Sequence, residues 1–138
     1  MTPGFVHLHV HTEYSLVDSV VRVPELVAAA AAGGMPAVAI TDQGNLFGLV
    51  KFYRAALAAG VQPIVGAEVW VAGPTNRGQA DRQEPSRLVL LGRNQAGYRN
   101  LCRLLTRAWL EGQQGGLPLL RAGWLAEGTC AGLIALSG

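Results

Sequence analysis

No run of 18 or more apolar residues occurs in this 138-residue chain, so no segment has the length and apolarity of a membrane-spanning helix. A basic-then-apolar leader is also missing, and the N-terminus opens instead on an alternating, strand-like pattern. These absences lead us to expect a cytoplasmic protein with no membrane partner. Charge is sparse, at 14% of residues, but half the residues are hydrophobic, which excludes a disordered chain. Only two cysteines are present, Cys102 and Cys130, with no motif spacing and no secretory context. Both are expected to be buried free thiols. There is no heptad, low-complexity tract or fixed-period repeat. The formal charge of +2 does not by itself require a nucleic-acid partner. It is unevenly spread: residues 1–69 carry three Lys/Arg against five Asp/Glu, and residues 70–138 carry eight against four. The length suits one domain, or a piece of one, with a core of ordinary size.

Histidine is scarce too, and all three fall within Val6-His7-Leu8-His9-Val10-His11-Thr12. Side chains alternate between the two faces of a strand. As a strand this stretch places Phe5, His7, His9 and His11 on one face and Val6, Leu8 and Val10 on the other. Imidazole binds metals when neutral, so the row reads as half of a metal site that needs carboxylates from elsewhere. The plainer alternative is an exposed, His-rich strand face.

A turn-rich stretch from Glu13 to Ser19 follows. Pro24 and Glu25 suit a helix start, Leu26 through Ala32 favour helix, and Gly33-Gly34 stop it. Ala37–Thr41 is a short apolar run, as expected of a strand buried on both faces. It ends in the turn residues Asp42-Gln43-Gly44-Asn45. Leu46, Leu49, Val50, Tyr53 and Leu57 then predict the buried stripe of a second helix closed by Gly60. Ile64–Val71 is a third strand with Glu68 inside it, and residues 73–86 read as an exposed loop. Leu88–Leu91 is a fourth strand. Asn94 caps a long helix that turns Leu101, Leu104, Leu105 and Ala108 to one side and ends near Gly112. Gly115-Gly116-Leu117-Pro118 breaks the chain, a short helix surrounds Trp124, and residues 132–136 form a fifth buried strand.

This alternation argues for an α/β fold with a mostly parallel sheet. Polar residues gather at strand ends, where α/β barrels keep their chemistry, which favours an incomplete barrel over an open sandwich. His9 and His11 at i, i+2 can both reach one metal, with His7 in support. Asp18 lies on the next loop, or is a plain turn residue. Glu68 sits in an apolar strand, where a carboxylate is costly unless paired or bound to a cation; the plain alternative is an ion pair with an arginine. Asp42 supports the cluster or caps the second helix. Imidazole with carboxylate suits Zn, Mn or Fe, and two or three such ions suit phosphoester hydrolysis.

The combination resembles the PHP (polymerase and histidinol phosphatase) domain family, in the form found at the N-terminus of bacterial DNA polymerase III alpha subunits. His7-Leu8-His9-Val10-His11-Thr12 with Tyr14-Ser15 and Asp18 is similar to that family's first motif. Thr41-Asp42-Gln43-Gly44-Asn45-Leu46-Phe47-Gly48 is similar to the second, and Pro63-Ile64-Val65-Gly66-Ala67-Glu68 to the third. Leu88–Leu91, Gly97-Tyr98-Arg99-Asn100-Leu101 and residues 132–138 fit as well. The resemblance implies a distorted seven-stranded (β/α) barrel, of which residues 1–138 are roughly the first half, within a much longer chain. It implies metal ligands at His9, His11, Asp18, position 43, Glu68 and position 87. Two of these depart from the pattern, because Gln43 and Arg87 stand where the family carries histidine. An amide is a feeble ligand for Zn. Arg87 would repel a dication by about 8 kcal/mol at about 4 Å and an effective dielectric of about 20.

The resemblance therefore implies a degenerate metal site and no cofactor in this segment, with Zn or Mn if the site works. Its role would be scaffold and docking surface within a DNA-directed DNA polymerase, a nucleotidyltransferase of DNA replication. The implied partners are the rest of the alpha subunit, the proofreading exonuclease subunit, and DNA through the parent protein. The alternative is a working metal-dependent 3′–5′ exonuclease or phosphoesterase on His9, His11, Asp18 and Glu68. A free-standing histidinol-phosphatase-type enzyme fits less well, given residues 44–48 and 98–101. No catalytic residue is assigned, and the segment alone is expected to be inactive. Arg99, Arg103 and Arg107 form a basic stripe, read as a solvated face or a contact with DNA or an acidic partner. Trp70, Trp109 and Trp124 read as packing residues.

Overall fold

The computed structural model describes residues 4–73 and 84–138, so positions 74–83 of the expected loop at 73–86 lie outside the described residues, and Ser86 already belongs to a strand. The chain divides into two compact units, Met1–Ala67 and Glu68–Gly138.

In the first unit the His-bearing segment is not a regular strand, contrary to its alternation. Its backbone does bond to β1 (Ala37–Ile40) and the residue after it. The Ala39 N–H donates to the His7 carbonyl at 2.9 Å and the Thr41 N–H to the Val10 carbonyl at 2.8 Å. Three steps on one side thus match two on the other, a bulge that interrupts a ladder. Side chains then take the place of ladder acceptors. The Val10 N–H donates to Thr41 Oγ1 at 2.8 Å and the Thr12 N–H to Asp42 Oδ1 at 2.5 Å.

Helix α1 (Val23–Ala32) begins with Pro24 and ends before Gly34, whose φ of +67° only glycine adopts readily. Strand β1 pairs in parallel with the first residues of β2 (Gln62–Ala72), Ala37 opposite Gln62 and Ile40 opposite Val65. Val38, Ala39 and Ile40 are all buried, as a two-sided strand requires. Helix α2 (Leu49–Ala58) faces the core with Leu49, Phe52 and Ala56. Of the expected stripe, Leu49 is buried and Leu46 packs against the core, but Val50, Tyr53 and Leu57 are 64%, 47% and 54% exposed. Both faces of α2 carry apolar residues, so periodicity alone cannot choose between them. Small Ala56 and the alanines of α1 let the two helices pack together while Phe52 fills the core with Val23, Val27, Val38 and Ile40.

In the second unit the sheet order is β4-β5-β2-β3-β6. It comprises β3 (Ser86–Gly92), β4 (Gln113–Gln114), β5 (Leu117–Arg121), β6 (Leu133–Ser137) and the later residues of β2. The sheet is mixed rather than mostly parallel. β1/β2 and β2/β5 are parallel, whereas β4/β5 and β3/β6 are antiparallel. One antiparallel pair arises where the sequence suggested only a chain break. Gly115 (φ 59°) and Gly116 (φ 86°) make a two-residue turn with both φ positive, the hairpin geometry matched to strand twist. With β4 and β5 the described residues hold six strands, where five were expected. β6 is also not the buried strand its apolar run predicts. It lies at the end of the sheet path, with Ile134 43% exposed, because an apolar run does not specify what covers it.

Helix α3 (Gln95–Glu111) is capped by Asn94, whose Oδ1 accepts the Gly97 N–H at 2.9 Å. It buries Leu101, Leu104, Leu105 and Ala108 as its spacing predicts. A 3-10 turn (Ala122–Trp124) and a one-turn α4 (Glu127–Cys130) replace the single short helix expected near Trp124. Trp124 is buried, Trp70 half-buried and Trp109 40% exposed. Cys102 and Cys130 are half-buried rather than buried, though both are free thiols as expected.

Candidate functional site

The first unit gathers His9, His11, Asp18 and Gln43. The bulged N-terminal segment keeps the alternation locally, so the His9 and His11 rings meet edge-on with centroids 5.2 Å apart. A ring nitrogen of each lies within 4.8 Å of one on the other. His7 turns instead to Phe5, ring centroids 4.7 Å apart.

Asp18, on the loop after the 3-10 turn Glu13–Ser15, faces His11. Its Oδ2 lies 2.8 Å from His11 Nδ1. An imidazole that gives its Nδ1–H to a carboxylate holds its lone pair on Nε2, the tautomer and orientation that metal-binding histidines commonly adopt. The same Oδ2 accepts the side-chain amide of Gln43, Nε2 to Oδ2 2.7 Å. One carboxylate oxygen therefore serves an imidazole and an amide together.

Of the two sequence alternatives for Asp42, the structure rules out the cap. It is 1% exposed and does not cap α2, whose N-cap is Gly48 without a side-chain bond. Its carboxylate accepts the Thr12 N–H, the Thr12 hydroxyl at 2.8 Å and the Ser15 hydroxyl at 2.9 Å. A buried carboxylate is stable when charge-assisted bonds replace its hydration. Asp42 thereby clamps the His-bearing segment to the end of β1.

Asn45 completes the clamp. Its Nδ2 donates to the Tyr14 carbonyl at 2.9 Å and the Gln43 carbonyl at 3.1 Å, while its Oδ1 accepts the Phe47 N–H at 3.1 Å. Gly48 is glycine for room, since a Cβ there would sit 2.6 Å from the Tyr14 ring. Sequence reasoning missed the supporting roles of Thr12, Ser15 and Asn45. The available signal was the propensity of Asn and Ser to bond nearby backbone in turns.

In the second unit, Glu68 on β2 is 1% exposed, and Arg87 on the neighbouring strand β3 reaches it, Nη1 to Oε1 3.8 Å. Glu68 is thus ion-paired to arginine, the alternative weighed for a carboxylate in an apolar strand. At 3.8 Å, with Arg87 58% exposed, this is a charge contact rather than a tight bidentate bond.

Residues 7–138 match the family model of the PHP domain. The chain belongs to the PHP domain family. This PHP chain is 51% identical over 99% of its length to the DNA polymerase III subunit alpha of Pseudomonas aeruginosa. It is 46% identical to that of Escherichia coli K12 over 99% of its length, and 44% identical to that of Vibrio cholerae over the same share. It spans 11% of the length of each.

Among solved structures, an amidohydrolase from Chromobacterium violaceum, with bound sulfate and no metal, aligns over 75% of this chain and 32% of its own. Its TM-score is 0.54 at 26% identity. A candidate metal-dependent phosphoesterase from Bifidobacterium adolescentis aligns over 77% of this chain and 34% of its own, with TM-score 0.53. At 16% identity that second likeness bears on the fold alone. The PHP chain is therefore a mixed α/β fold that shares its architecture with these two structures. Among the described residues no helix is long and apolar enough to cross a membrane.

Proposed function

We propose that residues 1–138 form the N-terminal portion of the PHP domain of a DNA polymerase III alpha subunit, with a degenerate metal centre and a scaffolding role. The parent chain would be a cytoplasmic DNA-directed DNA polymerase of replication. The PHP domain would complete a distorted seven-stranded barrel with residues beyond this segment. Its partners would be the rest of the alpha subunit and the proofreading exonuclease subunit, with DNA bound through the parent.

One observation carries the degenerate reading: each residue that departs from the family's ligand pattern contacts a ligand-type carboxylate. Gln43 hydrogen-bonds Asp18 and Arg87 ion-pairs Glu68. The donor chemistry of this chain thus fits a metal at His9 and His11 and disfavours it at positions 43 and 87. A guanidinium supplies fixed positive charge where a dication would otherwise neutralise acid.

The test is metal content of the full-length protein after chelation and reloading with Zn or Mn. Substoichiometric metal is expected in the natural protein, and a clear gain in Gln43→His/Arg87→His. Tight stoichiometric Zn or Mn in the natural protein would overturn the reading. The retained His9–His11 pair favours a second reading, a working 3′–5′ exonuclease or phosphoesterase. That reading requires metal-dependent activity abolished by His9→Ala or His11→Ala, and fails if those variants match the natural protein.

A further inference from the structure

The solvent face of α3 carries Arg99, Arg103 and Arg107, all exposed. At 1.5 Å per residue they climb about 6 Å per step, so the row is about 12 Å long. It does not end with the helix. The Arg107 guanidinium lies 4.1 Å over the ring of buried Trp124, and Arg121, at the end of β5, lies 5.4 Å from the same ring. Both guanidiniums thus meet the same ring, and Trp124 links the row to a fourth arginine.

Among the described residues the acid on this ridge is Glu111, bonded to Arg107 Nε at 3.1 Å. Among the described residues, Arg99, Arg103 and Arg121 have no ion-pair partner. Arg121 and Glu111 also border a cleft of about 550 Å³ with Gln113 and Gln114. Anchored guanidiniums lose less freedom on binding than free ones, and their forked donors match phosphate oxygens. A line of cations nearly clear of acids complements an evenly spaced line of anions.

We infer that this ridge, Arg99, Arg103 and Arg121 with Arg107 held between Trp124 and Glu111, binds the phosphate backbone of duplex DNA independently of sequence. The inference rests on the reading of the parent chain as a DNA polymerase, which favours DNA over an acidic protein.

The experiment measures binding of the full-length protein to a fluorescent primed duplex by anisotropy across a salt series. Each phosphate contact contributes about 0.9 to the slope of log affinity against log salt. Arg99→Ala/Arg103→Ala/Arg121→Ala is expected to flatten the slope by about 2.7. Between 50 and 200 mM salt the natural protein would then lose about 40-fold more affinity than the variant. The corresponding triple Arg→Lys variant keeps its charge and is expected to keep the slope. An unchanged slope in the alanine variant, as an acidic protein partner would give, overturns the inference. So does an equal flattening in Arg22→Ala/Arg54→Ala, exposed arginines of the first unit. Primer extension by the full-length protein separates the two readings. Extension with an unchanged slope defeats only the ridge, and no extension defeats the polymerase assignment.

Discussion

Asp42 and Thr12, thirty residues apart, are joined twice: one carboxylate oxygen takes the Thr12 N–H at 2.5 Å and the other its hydroxyl at 2.8 Å. With Ser15 as a third donor, Asp42 holds the histidine segment in place. Asp42→Ala would leave those buried donors unsatisfied, and a loss of about 3–5 kcal/mol in urea unfolding is expected. Asp42→Asn retains part of the acceptor capacity and is expected to lose about half as much.

The core face of α2 gives a contrast between neighbouring apolar residues. Phe52 is fully buried, while Leu57 is 54% exposed. Phe52→Ala is expected to destabilise by about 3–5 kcal/mol, and Leu57→Ala to stay within about 0.5 kcal/mol. Equal effects in denaturant titration would show that the helix presents the other face to the core.

Gly97 packs against backbone. A Cβ there would meet the Gly132 carbonyl oxygen at 2.0 Å, and the Arg93 N–H bonds that same oxygen at 2.8 Å. In an open helix Gly→Ala stabilises by about 1 kcal/mol. At Gly97 the sign reverses, with a loss of about 1–3 kcal/mol expected from overpacking. Increased stability on thermal unfolding would refute the close approach.

Tyr98 and Cys102, one turn apart on α3, give a pH signature. The hydrogen bond with Cys102, the nearby thiol's charge on ionisation and partial burial raise the phenol above its usual 10.0. A raised phenol favours the neutral form in the folded state. The stability it adds is present below the unfolded value near 10 and fades as pH rises through the folded one. Absorbance titration of tyrosinate is expected to show one late-ionising tyrosine that shifts down in Cys102→Ala. No shift in that variant would remove Cys102 as the cause.

Features that depend on neighbours a few residues away could be read before any coordinates. Pro24 and Gly34 bound α1, Asn94 caps α3, and the apolar run of β1 is buried on both faces, because caps, turns and periodicity are local. The family was also legible in the resemblance of residues 7–18, 41–48 and 63–68 to its motifs. Tertiary structure decided which face of α2 enters the core, that β6 lies at the end of the sheet path, and that Asp42 clamps Thr12 and Ser15. It also decided that Gln43 binds Asp18 and that Arg87 reaches Glu68 across neighbouring strands. Each of these joins residues about 20 or more apart, or chooses between two equally apolar faces. Such outcomes depend on which surfaces meet, which no local pattern records.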